Sequence, residues 1–172
     1  MPQYHANREL PFSASHLFDV VADVEKYPEF VPGCSGCRII RWDSETQFVA
    51  EVTYGISALS LGYVCEIILE RPREIHVRAT EGAFRHLTNH WRFDPTETGC
   101  RVEYKLDFDF RSRLMSKIGE KIMHQAALRM IDAFHKRARM LEKRNQAQGR
   151  SSGDGKPGED ETEVAGSSGP VR

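Results

Sequence analysis

Cys34-Ser35-Gly36-Cys37 is the tightest pairing of reactive side chains in the chain. Two thiols at that spacing act as a redox couple when a helix amino terminus or a neighbouring cation lowers their pKa. They serve as half of a zinc site when a second pair joins them. Here a strand follows the pair, so the plain reading is two small buried residues at a loop-to-strand junction. Cys65 and Cys100 do not have the spacing of a second zinc knuckle, and the segment before them carries no export signal, so reduced thiols are expected. The seven histidines are scattered. His86 and His90 lie four apart, but within a strand, and there is no H-E-x-x-H. His124 stands closest to an apolar surface, beside Met123. Asp107 and Asp109 share the polar face of a strand with Lys105 and Arg111, where solvated charge explains them. No G-x-S-x-G elbow and no P-loop occurs. No catalytic residue, metal site or catalytic cofactor is therefore expected.

What remains is a density of large, adaptable apolar side chains. Phe30, Trp91, Phe93, Phe108, Met115, Met123, Met130 and Phe134 are the candidates for lining a cavity rather than merely filling a core, because methionine-rich walls tolerate irregular shapes. Charge adds a second feature. The net charge of −1 predicts no general attraction to nucleic acid, and DNA is not an expected partner. Yet the segment from Arg111 to Arg144 holds ten Lys and Arg against three acids. Such a segment can be a solvated helix back, a docking face for anionic lipid, or a contact for ribosomal RNA.

The elements that must position these residues follow from periodicity. Residues 3–10 read as a first strand. Ser13 or Ser15 can cap a helix whose face is Leu17, Phe18, Val20 and Val21. Pro28 and Pro32 bracket no more than a turn of helix. Period-2 alternation then recurs through Phe48–Tyr54, Leu59–Leu69, Ile75–Ala79, Leu87–Phe93 and Val102–Phe110. One face of the resulting sheet is apolar and the other wet, which suits antiparallel pairing. Leu87, Asn89, Trp91 and Phe93 share a face, and that strand stops at Asp94-Pro95. Next the period changes to 3.6: Met115, Ile118, Ile122, Ala126, Met130, Phe134, Ala138 and Leu141 trace a stripe along a helix of about 30 residues. After Asn145 the chain is rich in Gly, Ser, Glu and Asp with scarcely an apolar residue. The expected organisation is one α+β domain over residues 1–144 and a disordered polar tail over 145–172. A twisted sheet wrapped on one long helix leaves room for an apolar pocket. Neither a spanning helix nor a targeting peptide is predicted, which makes the cytoplasm the expected location.

Leu17-Phe18-Asp19-Val20-Val21-Ala22-Asp23-Val24-Glu25-Lys26-Tyr27-Pro28-Glu29-Phe30-Val31-Pro32, followed by Cys34, resembles the coenzyme-Q-binding and ribosome-association-toxin branch of the START-like, polyketide-cyclase-like superfamily. Gly82 to Leu87, Trp91-Arg92-Phe93, Cys100 to Phe110 and Ala133 to Ala138 agree with the same pattern, and the resemblance covers residues 3 to 142. Gly33 and Ala83 depart from it, where an aromatic and a proline are usual. The resemblance implies a helix-grip fold with an elongated cavity. It implies ubiquinone or a related prenylated lipid as ligand, in a carrier or chaperone role without turnover. Its two branch names also carry an alternative, association with the large ribosomal subunit, and the wider superfamily carries a third, cyclase or dehydratase activity.

Overall fold

The computed structural model describes residues 2–56 and 58–151. Strand β1 (Gln3–Leu10) leads into helix α1 (Ala14–Ala22) and a 3₁₀ turn (Val24–Glu29). Strands β2 (Cys34–Ser44), β3 (Gln47–Ile56), β4 (Leu59–Glu70), β5 (Glu74–Gly82), β6 (Phe84–Thr96) and β7 (Gly99–Phe110) follow, and helix α2 (Arg113–Ser151) comes last. The strands form one antiparallel sheet in the order β1-β7-β6-β5-β4-β3-β2, with β1 and β2 at its edges. The sheet curls around α2 as a START-like helix grip.

Local chemistry accounts for the element ends. The Ser13 hydroxyl accepts from the His16 amide at 3.1 Å and caps α1, satisfying one of the donors a helix start leaves free. Phe18 of α1 is fully buried against Phe93, with ring centroids 5.9 Å apart. Alternation in β7 holds throughout: Val102, Tyr104, Leu106, Phe108 and Phe110 are all buried. The opposite face presents charge in rows set by the register. One row runs Ile68, His76, His90, Lys105 and His5 across five strands.

Three expectations need correction. Strand β6 runs through Pro95 to Thr96, pairing with Cys100 and Gly99, because a proline near a strand end leaves the neighbouring ladder intact. Helix α2 is 39 residues long, about 58 Å, and continues past 144 to Ser151, so the start of the expected tail is helical. The rest of that tail, 152–172, lies outside the described residues. The buried stripe of α2 follows the expected one at Met130, Phe134 and Ala138 but is rotated over its first turns. Gly119, Met123, Ala127, Met130, Ile131, Phe134 and Ala138 face the sheet, while Ile118 is 43 % exposed. Gly119 is what permits this, since a Cβ there would stand 2.5 Å from the Phe110 ring. A glycine is invisible to a hydrophobic count, yet here it lets the helix rest directly on an aromatic ring.

Strand β2 was the least legible. Its register with β3 shifts at Cys34/Gly36, Ile39/Arg41 and Trp42/Ser44, so no clean alternation survives.

Candidate functional site: an apolar cavity between sheet and helix

The inward faces of β3 to β6 do not meet α2 everywhere. An inner chamber remains, with Val52 and Tyr54 from β3, Tyr63, Cys65 and Ile67 from β4, Ile75 and Val77 from β5, and Asn89 and Trp91 from β6. Met130 and Phe134 of α2 form its roof, and Val21, Val24 and Tyr27 close one end. The chamber measures about 50 Å³, counted as positions open to the centre of a water molecule. At about 10–15 Å³ per water on that measure, it holds a few waters and not a whole prenylated ring.

A second section continues from Tyr54, Tyr63 and Asn89 past Leu87, Tyr104 and Leu106 under Met123 and Ala127. Beside it, between α2, the turn at Gly33 and the end of β3 at Gly55, lies a mouth of about 300 Å³ bordered by Ile122, Gln125, Ala126 and Arg129. Gly33 sits there at φ 79, a left-handed conformation that favours glycine, and its Cα hydrogen side faces the Tyr54 ring. The hollows adjoin through shared walls: Tyr54, Tyr63, Asn89 and Met130 border both inner sections, and Tyr54, Met123 and Ala126 border both the second section and the mouth.

The walls of the two inner sections are apolar except for one amide, four phenols and the thiols of Cys37 and Cys65. The Asn89 Nδ2 donates to the Tyr104 hydroxyl at 3.3 Å, while Asn89 Oδ1 is buried without a hydrogen-bond partner. The Tyr27 hydroxyl donates to the Val21 carbonyl. Tyr54 and Tyr63 lie parallel, centroids 6.4 Å apart, and among the described residues neither hydroxyl has a partner. Burial holds the phenols of Tyr27, Tyr54, Tyr63 and Tyr104 above their usual range. It also pushes the Cys37 and Cys65 thiols up to about 12. These groups are neutral at ordinary pH and act as hydrogen-bonding surface rather than as acids or bases.

Of the residues expected to line a cavity, Trp91, Met130 and Phe134 line the inner chamber, and Met123 lines the second section. Phe134 joins the parts: its ring meets Trp91 at 5.0 Å, Phe30 at 5.1 Å and Tyr27 at 5.3 Å. Phe30 stands behind the wall, under the Arg137 guanidinium, whose nitrogen also reaches Glu29 at 2.9 Å. Phe93, Phe108 and Met115 belong to the core: Phe93 packs on Phe18, Phe108 between Phe84 and Phe110, and Met115 beside the core at the start of α2. Sequence reasoning passed over Tyr27, Tyr54, Tyr63 and Asn89. The signal for Asn89 was present, since an amide in an inward position among Leu87, Trp91 and Phe93 breaks an apolar run.

The C-x-x-C pair lacks the features of an activated thiol couple. All four cysteines are free, and burial raises the pKa of Cys34 as well as Cys37, the reverse of what a reactive thiolate needs. His124 is exposed and meets the Tyr4 ring edge-on at 5.7 Å, outside the cavity.

A curled antiparallel sheet gripping one helix over an apolar interior defines a protein of the START-like class. A START superfamily protein from Mycobacterium smegmatis superposes with a TM-score of 0.69 at 18% identity, covering 81% of this chain and 98% of that one. The chain belongs to the family described as polyketide cyclase / dehydrase and lipid transport, whose model matches residues 10–135. It is 31% identical over 140 residues to the ribosome association toxin RatA of Escherichia coli K12, covering 81% of this chain and 88% of that protein. It is 29% identical over 141 residues to the mitochondrial coenzyme Q-binding protein COQ10 homolog B of Xenopus laevis, covering 79% of this chain and 57% of that protein. No helix among the described residues is long and apolar enough to cross a membrane.

Proposed function

We propose that the chain binds, without turning over, an apolar molecule with a polar ring at one end, and that this molecule is ubiquinone or a related polyprenylated quinone. The observation that carries the reading is Asn89. An unpaired amide oxygen in an apolar cavity costs about 1–3 kcal/mol, a cost that a ligand group able to pair with it removes. Turning the amide over lets Oδ1 accept from Tyr104 and aims Nδ2 at the cavity. The same residue thus serves a quinone carbonyl, which accepts, or a quinol hydroxyl, which donates. Tyr54 and Tyr63 offer further hydroxyls beside it. The name of the Xenopus relative supports a quinone.

The small chamber sets a condition: ring entry must lift α2 from the sheet, leaving the prenyl chain in the second section and mouth. Leu114, Ile118 and Leu128 are exposed on the side of α2 opposite Met123 and Ala127, with Lys117 and Lys121 among them. That arrangement suits peripheral contact with an anionic membrane, from which such a ligand would be collected. The two inner sections are lined by no His, Asp, Glu, Lys or Arg among the described residues. That lining supports binding over acid–base turnover of the cyclase or dehydratase kind.

Purification from a quinone-containing host, lipid extraction and mass spectrometry test the reading, together with titration of a short-chain ubiquinone followed by tryptophan fluorescence. Saturable binding weakened about ten-fold in Asn89→Leu, roughly 1.4 kcal/mol, is expected. No recovered quinone or lipid and no saturable binding would overturn it.

A second reading, association with the large ribosomal subunit, is favoured by the exposed Lys136, Arg139, Lys143 and Arg144 near the end of α2 and by the name of the Escherichia coli relative. Arg137 is not part of that surface, being only 12% exposed and paired with Glu29. Co-sedimentation with ribosomal subunits at low salt, lost in Lys136→Glu/Arg139→Glu/Lys143→Glu, would establish this reading. Its absence would remove it.

A further inference from the structure

On the sheet face away from the cavity, the register places His76 of β5 directly opposite His90 of β6. Their rings stack with centroids 4.4 Å apart and planes 9° from parallel. Glu74 precedes His76 by two residues and so shares its face. Its Oε2 lies 2.9 Å from His90 Nε2 and 3.2 Å from His76 Nε2. The three donor atoms all fall within 4.8 Å of one another. Glu70 of β4 pairs with Glu74 in the ladder, and its carboxylate is 3.7 Å from His76 Nε2. Two carboxylates facing each other across strands repel unless something positive stands between them. The nearby cations are paired first with other acids: Lys105, opposite His90, holds Glu103 at 3.0 Å, and Arg92, opposite Glu74 and within its electrostatic reach, holds Asp94 at 3.1 Å.

We propose that Glu74, His76 and His90 form a binding site for one borderline divalent cation, zinc first among them, with Glu70 or water in the fourth position. Two imidazoles and one carboxylate are a zinc donor set. Ligands at 2.0–2.2 Å in a tetrahedron lie about 3.3–3.5 Å apart, which is close to the two Glu74 distances. Only the imidazoles must turn towards each other, and with 40% and 30% of their side-chain surfaces exposed they have room to do so. His76 lies between Ile75 and Val77, and His90 between Asn89 and Trp91, all four of which line the chamber. The ion would therefore tie β5 to β6 directly behind the cavity wall.

Calorimetric titration of the full chain, free of any histidine tag, with zinc chloride should give one ion per chain and a melting temperature that rises with zinc. Copper(II) added in place of zinc should show two nitrogen ligands by electron paramagnetic resonance. His76→Ala and His90→Ala should each weaken binding at least ten-fold, while His86→Ala and His124→Ala leave it unchanged. Circular dichroism and metal-free melting establish that the variants are folded. Undiminished affinity in a folded His76→Ala/His90→Ala variant, or no saturable binding up to millimolar zinc, would overturn the proposal.

Discussion

Strands β5 and β6 present two surfaces built from alternate residues of the same backbone. Ile75, Val77, Asn89 and Trp91 face inward and line a cavity, while Glu74, His76, His90 and Arg92 face water. On the inner face one polar side chain stands alone among apolar ones, so its hydrogen-bonding state carries a full desolvation cost. On the outer face each charge has several neighbours and water besides, so any one contact matters little to stability. The same chemical group therefore has a large consequence on one side of the sheet and a small one on the other.

Breaking the inner face should cost most. Trp91→Ala removes a ring that touches Tyr104, Phe93 and Phe134, and denaturant unfolding should show a loss of about 3–5 kcal/mol. Alkali should act on the same face. Unfolded thiols ionise near 8.5, whereas Cys37 and Cys65 are held at about 12 in the fold. Their contribution to stability is thus complete below about 8.5 and falls as pH rises towards 12, where it is gone. Melting temperature measured from pH 8 to 12 should decline, and Cys37→Ala/Cys65→Ala should flatten the decline. Gly119→Ala sets about 0.8–1.0 kcal/mol of helix propensity against an overpacking cost of about 1–3 kcal/mol on Phe110. The net expectation is a loss of up to about 2 kcal/mol, read by the same unfolding experiment.

Asn89→Leu sharpens the comparison because two effects oppose. It forfeits the bond to Tyr104 and relieves the unpaired Oδ1, so stability should move by no more than about 1 kcal/mol while ligand affinity falls. On the outer face, His76→Ala or His90→Ala without metal should shift stability by about 0.5 kcal/mol or less.

The wet and dry faces were legible in the sequence wherever alternation was regular, as in β7, and so was the capped start of α1. The face of α2 was legible at Met130, Phe134 and Ala138 but not over its first turns, because Gly119 and Ala127 contribute contact by being small, which a count of large apolar residues cannot register. The tyrosines of the cavity were missed for a related reason. Tyr54 and Tyr63 sit in inward positions of β3 and β4, but whether an inward residue fills a core or faces a gap depends on how far α2 stands from the sheet. That distance is set by Gly119, Met123, Met130 and Phe134 acting together, not by any local pattern. Likewise His76 and His90 become neighbours only through the β5–β6 register.

Strand β2 is a sheet edge only partly covered, its Ile39 amide donating to Glu25 of the 3₁₀ turn at 3.1 Å while Ile40 and Trp42 stay exposed along it. An open edge of that kind invites a second chain to continue the sheet, and in a crowded cell such growth ends in aggregates. The three register shifts that made β2 hard to read also bend its row of free amides and carbonyls out of line, and Arg38 and Arg41 put charge beside it. The irregularity thus works against self-templating along this edge of an unclosed sheet.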